Sequence, residues 1–501
     1  MISGVDAPAN PRRARRSARL APLLAGALVL AGAGCSTAPS TPPESRPTAS
    51  AGQPTGPAAT TGSSARLPIV IDTDMAPDDI TAIASLVRDP SVEVLAITVS
   101  GTGEAHCPGG MFVARSIVTM LVDQPIPVAC GRATPLAEAA SFPDAWRAGA
   151  DAGSGLQLAK PAYLPESEDA RDVLIRIAGE QAAADRKLTI LTLGPLTTLA
   201  TAAAADPQLP SRVTVVSMLG AVDVPGNVQP SAGATEPTSE WNAHVDPTAV
   251  KNVLAAGFDL TLVPLDATRD VPLTRDLYDR LATDHGAGPA DLVFELWARN
   301  PFMFDGFYLW DPLASAAVRD PGLVTTRQAH LRVIDGSGLD GGRLVEDPAG
   351  ASVTIATGAD RARFEALLLA ALRQGGPRAG AFTPVGTIAV IVGQDRCDVT
   401  IEPSAPPPGL YRLDVRSEVA GPASAAVFGL GDVTWAEIQA FAEAPDFEHA
   451  PPVILGPQAD LTTTGATTAW GRVPAGQFAV ACAVGDFATP TITVRGPFQA
   501  G

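Results

Sequence analysis

The sharpest change in hydrophobic pattern lies near residue 70, where a short apolar run gives way to helical spacing. Residues 69–71 are Ile-Val-Ile, an uninterrupted β-branched run that predicts a buried strand. The apolar positions that follow at helical spacing are Ile80, Ile83, Ala84 and Val87. The carboxylates between the strand and these positions are Asp72, Asp74, Asp78 and Asp79. Open α/β sheets bind ligands where their parallel strands end, so the pattern predicts an acidic site at that edge.

Strand-like runs and helical patterns then alternate through a predicted domain spanning residues 65–376. The further predicted strands are 92–99, 125–129, 188–193, 213–218 and 260–264. The further predicted helices are 111–121, 171–184, 195–204, 247–256 and 360–373. This alternation predicts an α/β fold with a doubly wound, mostly parallel open sheet.

The pattern becomes β-rich after a Gly- and Pro-containing linker at residues 377–385. The predicted strands are 386–392, 409–415, 473–482 and 491–494, with a helix at 435–442. Residues 386–501 therefore read as a small all-β, sandwich-like accessory domain.

The N-terminal residues have the pattern of an export signal. Arginines at 12–16 precede an apolar stretch at 20–34, which is short for a membrane span. Residues 1–35 resemble a lipoprotein-type signal in which Cys35 is lipidated; plain secretion is the alternative. Residues 36–64 consist mainly of Pro, Ser, Thr, Ala and Gly, which predicts a disordered tether. These features predict an extracytoplasmic protein anchored to the cell membrane.

The net charge of the chain limits the kinds of ligand that it can bind. The 501-residue chain carries a formal net charge of −18, which argues against nucleic-acid polymers as partners and favours a small neutral or cationic ligand. Clustered carboxylates suit a hard divalent cation such as Ca²⁺. The competing interpretation is a solvated acidic turn in which Asp78 and Asp79 serve only the helix N-terminus.

Four cysteines besides Cys35 are available for disulfides, which an exported protein can form. Cys107–Cys130 and Cys397–Cys482 would each lie within one predicted domain. Three connectivities are open to four cysteines, and the sequence does not choose among them.

Three further motifs are predicted to converge with the acidic loop: Gly194-Pro-Leu-Thr at a strand end, Gly226-Asn227 with Glu240-Trp-Asn242 on loops after a strand, and Asp311-Pro-Leu-Ala. Together with Asp72-Thr-Asp74-x-x-x-Asp78-Asp79 and in this order, they resemble the inosine–uridine-preferring nucleoside hydrolase family over residues 67–372. The resemblance implies an N-glycosyl hydrolase that releases free base and ribose from a small-molecule nucleoside. It also implies a homo-oligomer.

The resemblance also implies roles for individual residues. The Ca²⁺ ligands would be Asp74, Asp79, Asp311 and the backbone carbonyl of Leu193, with Asp72 supporting them from behind. Asp74 would be the general base toward a metal-bound water. The ribose-binding groups would be Asp78, Met218, Asn227, Glu240 and Asn242.

Trp310 departs from the pattern of many members, which carry His immediately before the last metal-binding Asp. Trp310 and Trp241 resemble the purine-preferring subgroup, where aromatic side chains stack on the base; a core role for Trp310 is the alternative. His106 is a candidate proton donor, with a surface or structural role as its alternative. Two other functions compete with purine nucleoside hydrolysis: a catalytically silent nucleoside- or sugar-binding lipoprotein, and a hydrolase of another N-ribosyl compound.

Overall fold

The computed structural model describes most of the chain from residue 66 onward. The described ranges are 66–137, 140–228, 238–283, 288–304, 306–338, 340–374, 384–445, 450–451, 453–461, 463–485 and 490–501. Cys35, the predicted signal and tether, and most of the predicted linker lie outside these ranges. The described residues form two compact units, 66–374 and 384–501. No helix in the described ranges is long and apolar enough to cross a membrane.

The first unit is built on one nine-stranded sheet. Its strands are β1 (Leu67–Thr73), β2 (Val92–Val99), β3 (Val128–Cys130), β4 (Leu188–Thr192), β5 (Val213–Ser217), β6 (Asp259–Leu262), β7 (Val324–Val333), β8 (Leu344–Glu346) and β9 (Ala351–Ala359). Their spatial order is β3-β2-β1-β4-β5-β6-β9-β7-β8. All pairings are parallel except those of β7, which runs antiparallel to β9 and β8. The predicted mostly parallel sheet is confirmed, whereas the antiparallel edge was not predicted.

Helices connect these strands. They are α1 (Pro77–Leu86), α2 (Cys107–Leu121), α3 (Asp144–Asp151), α4 (Ala170–Ala183), α5 (Thr197–Ala205), α6 (Leu209–Arg212), α7 (Trp241–Val245), α8 (Pro247–Ala256), α9 (Leu265–Thr268), α10 (Arg275–Thr283), α11 (Gly288–Arg299), α12 (Trp310–Arg319) and α13 (Arg361–Leu372). From β1 the chain builds the sheet outward to β3, then returns to β4 on the other side of β1. The reversal makes the β1–β4 boundary a topological switch point, where such sheets hold ligands.

Helix α1 differs from its prediction. The spacing predicts one apolar face, but every residue from Pro77 to Leu86 is buried, including Asp78 and Asp79. The helix packs against α11, α12 and α13. Its acidic residues are therefore inside the protein, and the solvated-turn interpretation is wrong.

The second unit is a β-sandwich, as predicted. Its elements are β10 (Gly386–Gly393), β11 (Arg396–Glu402), β12 (Gly409–Ser417), β13 (Ala423–Gly429), α14 (Trp435–Glu443), β14 (Ile454–Leu461), β15 (Gly465–Val473), β16 (Gly476–Val484) and β17 (Thr491–Ala500). The two four-stranded sheets have the orders β11-β10-β12-β15 and β14-β13-β16-β17. Buried side chains from both sheets, such as Val390 and Val480, form one core.

Each unit contains one disulfide. Cys107–Cys130 joins the start of α2 to the end of β3, with 5.6 Å between Cα atoms. Cys397–Cys482 joins β11 to β16 across the sandwich, with 5.7 Å between Cα atoms. Of the three connectivities that the sequence left open, the structure has the one that keeps each disulfide within a single unit.

Candidate active site

The acidic loop between β1 and α1 makes a sharp turn. Met75 has a φ of 62°, a left-handed conformation that is uncommon for a side chain of this size. Ala76 is extended, with φ −60° and ψ 166°, and Pro77 starts the helix. Met75 is fully buried, so packing holds this unfavourable turn in place. The turn sets Asp74 at the end of the strand and Asp78 and Asp79 in the first turn of the helix.

Three carboxylates converge beside this turn. One oxygen from each of Asp78, Asp79 and Asp311 lies within 4.8 Å of the others. The backbone N–H of Asp311, at the start of α12, donates to Asp78 Oδ2 at 3.3 Å. Thr73 Oγ1 donates to Asp79 Oδ1, which also accepts the backbone N–H of Asp74 at 3.2 Å. The predicted ligands Asp79 and Asp311 thus come together. The third carboxylate of this group is Asp78, which was predicted to bind ribose, and not the predicted ligand Asp74.

Asp74 is enclosed by two glycines. A Cβ on Gly103 would lie 2.0 Å from the Cβ of Asp74, and one on Gly194 would lie 2.7 Å from it. The Asp74 carboxylate accepts backbone N–H groups from Glu104 at 3.1 Å and Ala76 at 3.4 Å. These two bonds orient the carboxylate and leave it further lone pairs for another ligand.

Burial raises the pKa of these carboxyl groups, and at Asp74 the charge of Arg147 opposes only part of the increase. Desolvation is the largest cause throughout, and it raises the pKa of Asp72 and Asp78 to about 7 and that of Asp74 to about 6. The pKa values of Asp79 and Asp311 also lie well above the ordinary range, because neighbouring carboxylates add repulsion to burial. The cluster is therefore costly to ionise at neutral pH unless a cation joins it.

The donor set fits a hard divalent cation. Asp79 Oδ2 is buried and receives no hydrogen bond from the described residues. All side-chain donors here are carboxylate oxygens, which Ca²⁺ and Mg²⁺ prefer. The Leu193 carbonyl follows β4 at the same edge, and it accepts one hydrogen bond from Asn242 Nδ2 at 3.2 Å. Asp72 lies behind them, where Thr98 Oγ1 donates to its Oδ1 at 2.6 Å.

The turn before α7 supplies the polar groups predicted to bind ribose. Glu240 caps this helix, and its carboxylate accepts three backbone N–H groups, from Gly220 at 2.8 Å, Asn242 at 2.8 Å and Ala243 at 3.1 Å. Burial raises the pKa of Glu240 to about 7, against the effect of these bonds. A carboxylate offers about four acceptor positions, so roughly one remains for a hydroxyl group.

Two amides flank Glu240. Asn242 Nδ2 donates to the carbonyls of Leu193 and Met218, both at 3.2 Å, which leaves its Oδ1 as an acceptor. Asn227 Oδ1 accepts the Trp241 N–H at 3.0 Å, which leaves its NH₂ group as a donor. Met218 is buried at the end of β5. These predicted residues are brought to one edge of the sheet with the acidic cluster.

The two predicted base-stacking tryptophans have different surroundings. Trp241 stacks on Phe142 at 5.0 Å and 21°, and Trp146 lies 5.5 Å from it at a tilt. Trp310 begins α12 directly before Asp311 and makes an edge contact with Phe307 at 4.5 Å. Trp310 is half-buried and lies next to the carboxylate cluster because Asp311 follows it in the chain. One face of Trp241 is covered by Phe142.

His106 is not part of the carboxylate cluster of Asp78, Asp79 and Asp311. Its side chain is 57% exposed, and Nδ1 lies 2.7 Å from Asp151 Oδ2, at the end of α3. Glu104, two residues earlier, lies closer to the cluster: burial, then the charges of Asp74 and Asp78, raise its pKa well above the ordinary value. His106 is therefore paired with Asp151 at the surface, whereas the raised pKa of Glu104 reflects its burial near Asp74 and Asp78.

Comparison with known proteins agrees with this geometry. The sequence model of the family described as inosine-uridine preferring nucleoside hydrolase matches residues 69–366. The chain belongs to this nucleoside hydrolase family. A pyrimidine-specific ribonucleoside hydrolase, RihA, of Shewanella woodyi is 30% identical over 317 residues, covering 61% of this chain and 97% of the relative.

Solved structures of nucleoside hydrolases share the fold. The inosine-uridine preferring nucleoside hydrolase of Bacillus anthracis aligns with a TM-score of 0.54 and 25% identity, covering 62% of this chain and 99% of that one. A purine-preferring ribonucleoside hydrolase from Gardnerella vaginalis aligns with a TM-score of 0.52 and 23% identity, covering 61% and 98%. The second likeness shows the fold alone. As a member of this family, the protein is an N-glycosyl hydrolase.

Sequence reasoning missed three residues of this hydrolase's site region, all between β3 and α4. Phe142 and Trp146 cover Trp241, and buried Arg147 donates from Nη2 to the Gly101 carbonyl at 3.0 Å. Helix α3 carries two of them and was not predicted, because its eight residues give too short a periodic signal. Pairing of Phe142 with Trp241 depends on the tertiary fold, and no local pattern encodes it.

Proposed function

We propose that this nucleoside hydrolase acts on purine ribonucleosides with a bound Ca²⁺. The observation that carries the proposal is the buried convergence of Asp78, Asp79 and Asp311 beside Asp74. Asp74, Asp79, Asp311 and the Leu193 carbonyl would hold the cation. When bound, Ca²⁺ supplies a Lewis acid that orients water and lowers its pKa.

The chain's own residues supply positioning and proton transfer. Asp74 is oriented by two backbone N–H groups and accepts the proton of the attacking water. Asp78, Asn227, Glu240 and Asn242 bind the ribose hydroxyls. Fixed carboxylate and amide dipoles of this kind favour the positive charge that develops on the sugar as the glycosidic bond breaks.

The purine preference rests on aromatic side chains. Trp310 adjoins Asp311, so a base above the ribose would meet its ring, and Trp241 contributes a second aromatic wall with Phe142 and Trp146. Stacking against an aromatic ring is stabilised by about 0.5–1.5 kcal/mol beyond burial. Glu104 is the group we propose to protonate the leaving base, since its raised pKa keeps a proton available.

The deciding experiment is an assay of the purified protein with inosine, guanosine, adenosine and uridine. We expect reducing sugar from the purine nucleosides with Ca²⁺, none after chelation, and none from Asp74→Asn. Release from uridine alone would contradict the purine preference and would match the activity in the name of the S. woodyi relative. Activity that survives exhaustive chelation would contradict the Ca²⁺ requirement. Family membership already favours an enzyme over a silent binding protein.

We also propose that Cys35 carries a lipid and anchors the hydrolase outside the cytoplasm. The support is the Arg-rich and apolar pattern before Cys35 and the polar tether after it. Detergent-phase partitioning of wild type and of Cys35→Ser tests this: the wild type should partition with detergent and the variant should not. Size-exclusion chromatography with light scattering tests the homo-oligomer that the family resemblance implies.

A further inference from the structure

A chain of buried hydroxyl groups lies beneath the loop between β2 and α2 (residues 100–106). Ser100 Oγ lies 2.9 Å from Thr102 Oγ1, which lies 3.0 Å from Thr197 Oγ1 at the start of α5. Thr197 Oγ1 donates to Asp246 Oδ2 at 2.7 Å. All four residues are at most 2% exposed. None of these hydroxyls belongs to the acidic cluster or to the ribose-binding set.

Asp246 gives the chain a fixed direction. Its Oδ1 accepts the N–H of Ala249 as the cap of α8, and its Oδ2 also accepts the N–H of Leu136 at 3.0 Å. Thr197 has one proton and donates it to Asp246, so its oxygen accepts from Thr102. An ionised carboxylate can only accept, so Thr102 and Thr197 are both donors toward Asp246, while Ser100 Oγ lies within donating distance of Thr102 Oγ1 and of the Pro195 carbonyl. Such fully satisfied buried networks hold their members in a single arrangement.

The loop that this chain holds touches Asp74. Thr102 directly precedes Gly103, which packs against the Asp74 side chain so closely that a Cβ would lie 2.0 Å from it. The next two residues donate backbone N–H groups to Asp74: Glu104 to Oδ2 at 3.1 Å and Ala105 to the carbonyl at 2.8 Å. The depth at which Thr102 is held thus contributes to how closely this loop contacts Asp74, together with the bond from Arg147 Nη2 to the Gly101 carbonyl.

We propose that Thr102, Thr197 and Asp246 are positioning residues, which hold the β2–α2 loop against Asp74 at the spacing that hydrolysis needs. The inference rests on the role proposed above for Asp74. Replacing Thr197 leaves a buried hydroxyl and a buried carboxylate without their shared partner. The loop can then relax away from Asp74, and displacements of about 1 Å at a reacting group cost about 100-fold in rate.

The test replaces one hydroxyl by a methyl group of the same shape. In Thr197→Val we expect kcat to fall about tenfold or more with KM within about twofold, and Thr197→Ser should restore most of kcat. The matched control is Thr201→Val, one turn along α5. Its hydroxyl donates only to helix carbonyls, those of Thr197 and Thr198, so kcat should stay within about twofold.

Two further variants make the result decisive. Thr102→Val breaks the same chain from the loop side, and the double variant should be no slower than the worse single variant, because the two hydroxyls act as one unit. Wild-type kcat in both single variants, or an equal loss in Thr201→Val, would overturn the inference. Asp74→Asn is measured alongside. If it is inactive while Thr197→Val and Thr102→Val are normal, only the positioning role fails; if it is active, the proposed role of Asp74 fails.

Discussion

Gly103 packs closely against Asp74, and this contact yields a sharp prediction for Gly103→Ala. The added methyl carbon would lie 2.0 Å from Asp74 Cβ and 2.5 Å from its Oδ2. Non-bonded carbon atoms ordinarily approach to about 3.5–4.0 Å. The loop and the Asp74 side chain must therefore separate by about 1.5 Å.

This displacement has two measurable consequences. Overpacking of a closely packed region costs about 1–3 kcal/mol in the free energy of unfolding. Misplacement of a reacting group by about 1 Å costs about 100-fold, so we expect kcat/KM to fall by at least that factor. The loss should exceed what the stability change explains, because the displaced group is the proposed general base.

The assay compares kcat/KM for inosine and thermal unfolding in Gly103→Ala and Gly149→Ala. A Cβ at Gly149, on the exposed side of α3, meets no atom within 4 Å. The control should keep wild-type activity and gain about 0.5–1 kcal/mol, since Ala favours a helix over Gly. Wild-type kcat/KM in folded Gly103→Ala would refute the reasoning that the glycine contact places Asp74.

Three further predictions concern stability. Burial raises the pKa of Asp72 and Asp78 to about 7, so in chelated protein each contributes stability that is fully present below pH 4 and is lost as pH rises through 7. Each shift is worth about 4 kcal/mol at most in the free energy of unfolding. Melting curves from pH 5 to 8 should show that the proposed Ca²⁺ cancels this loss. Asp89 shows the opposite pH dependence. Burial would raise its pKa, but hydrogen bonds from Ser91 and the 2.8 Å ion pair with Arg319 lower it. Its contribution to stability is therefore present above pH 4 and is lost as pH falls through the lowered pKa. Asp89→Asn should lose about 3 kcal/mol at pH 7 and less at pH 3, measured by denaturant unfolding, and equal losses would contradict this. Asp360→Ala removes the cap of α13, which accepts an N–H at 3.1 Å, and should cost about 1 kcal/mol with kcat unchanged.

Local pattern predicted the framework well where one physical rule dominated. Strand β2 and helix α8 have the predicted bounds. The β-branched and apolar residues of 92–99 favour a strand, and Pro247 and Gly257 bound the helical repeat between them. The order of strands and acidic loops placed Asp79 and Asp311 at one edge. Helix α1 was misjudged because the amphipathic rule assumes that polar residues face water, whereas Asp78 and Asp79 face other carboxylates.

Other features depend on pairing that sequence spacing does not reveal. The β7–β9 edge alternates buried and exposed residues and pairs antiparallel, unlike the apolar strands at the sheet centre. Trp241 was expected to be free for stacking, but Phe142, almost a hundred positions earlier, covers one face. His106 and Glu104 are two positions apart, and only the fold shows which one lies near the carboxylates.

The contact between Asp78 and Asp311 joins positions 233 residues apart. Contacts of such long range form late, because the intervening chain must first be ordered. We therefore expect the carboxylates of this site to come together after the strands between them have paired, and no short fragment contains the complete set. Binding of the proposed Ca²⁺ should consequently lag behind secondary structure during refolding, so the cation would report completion of the α/β unit rather than guide its first steps.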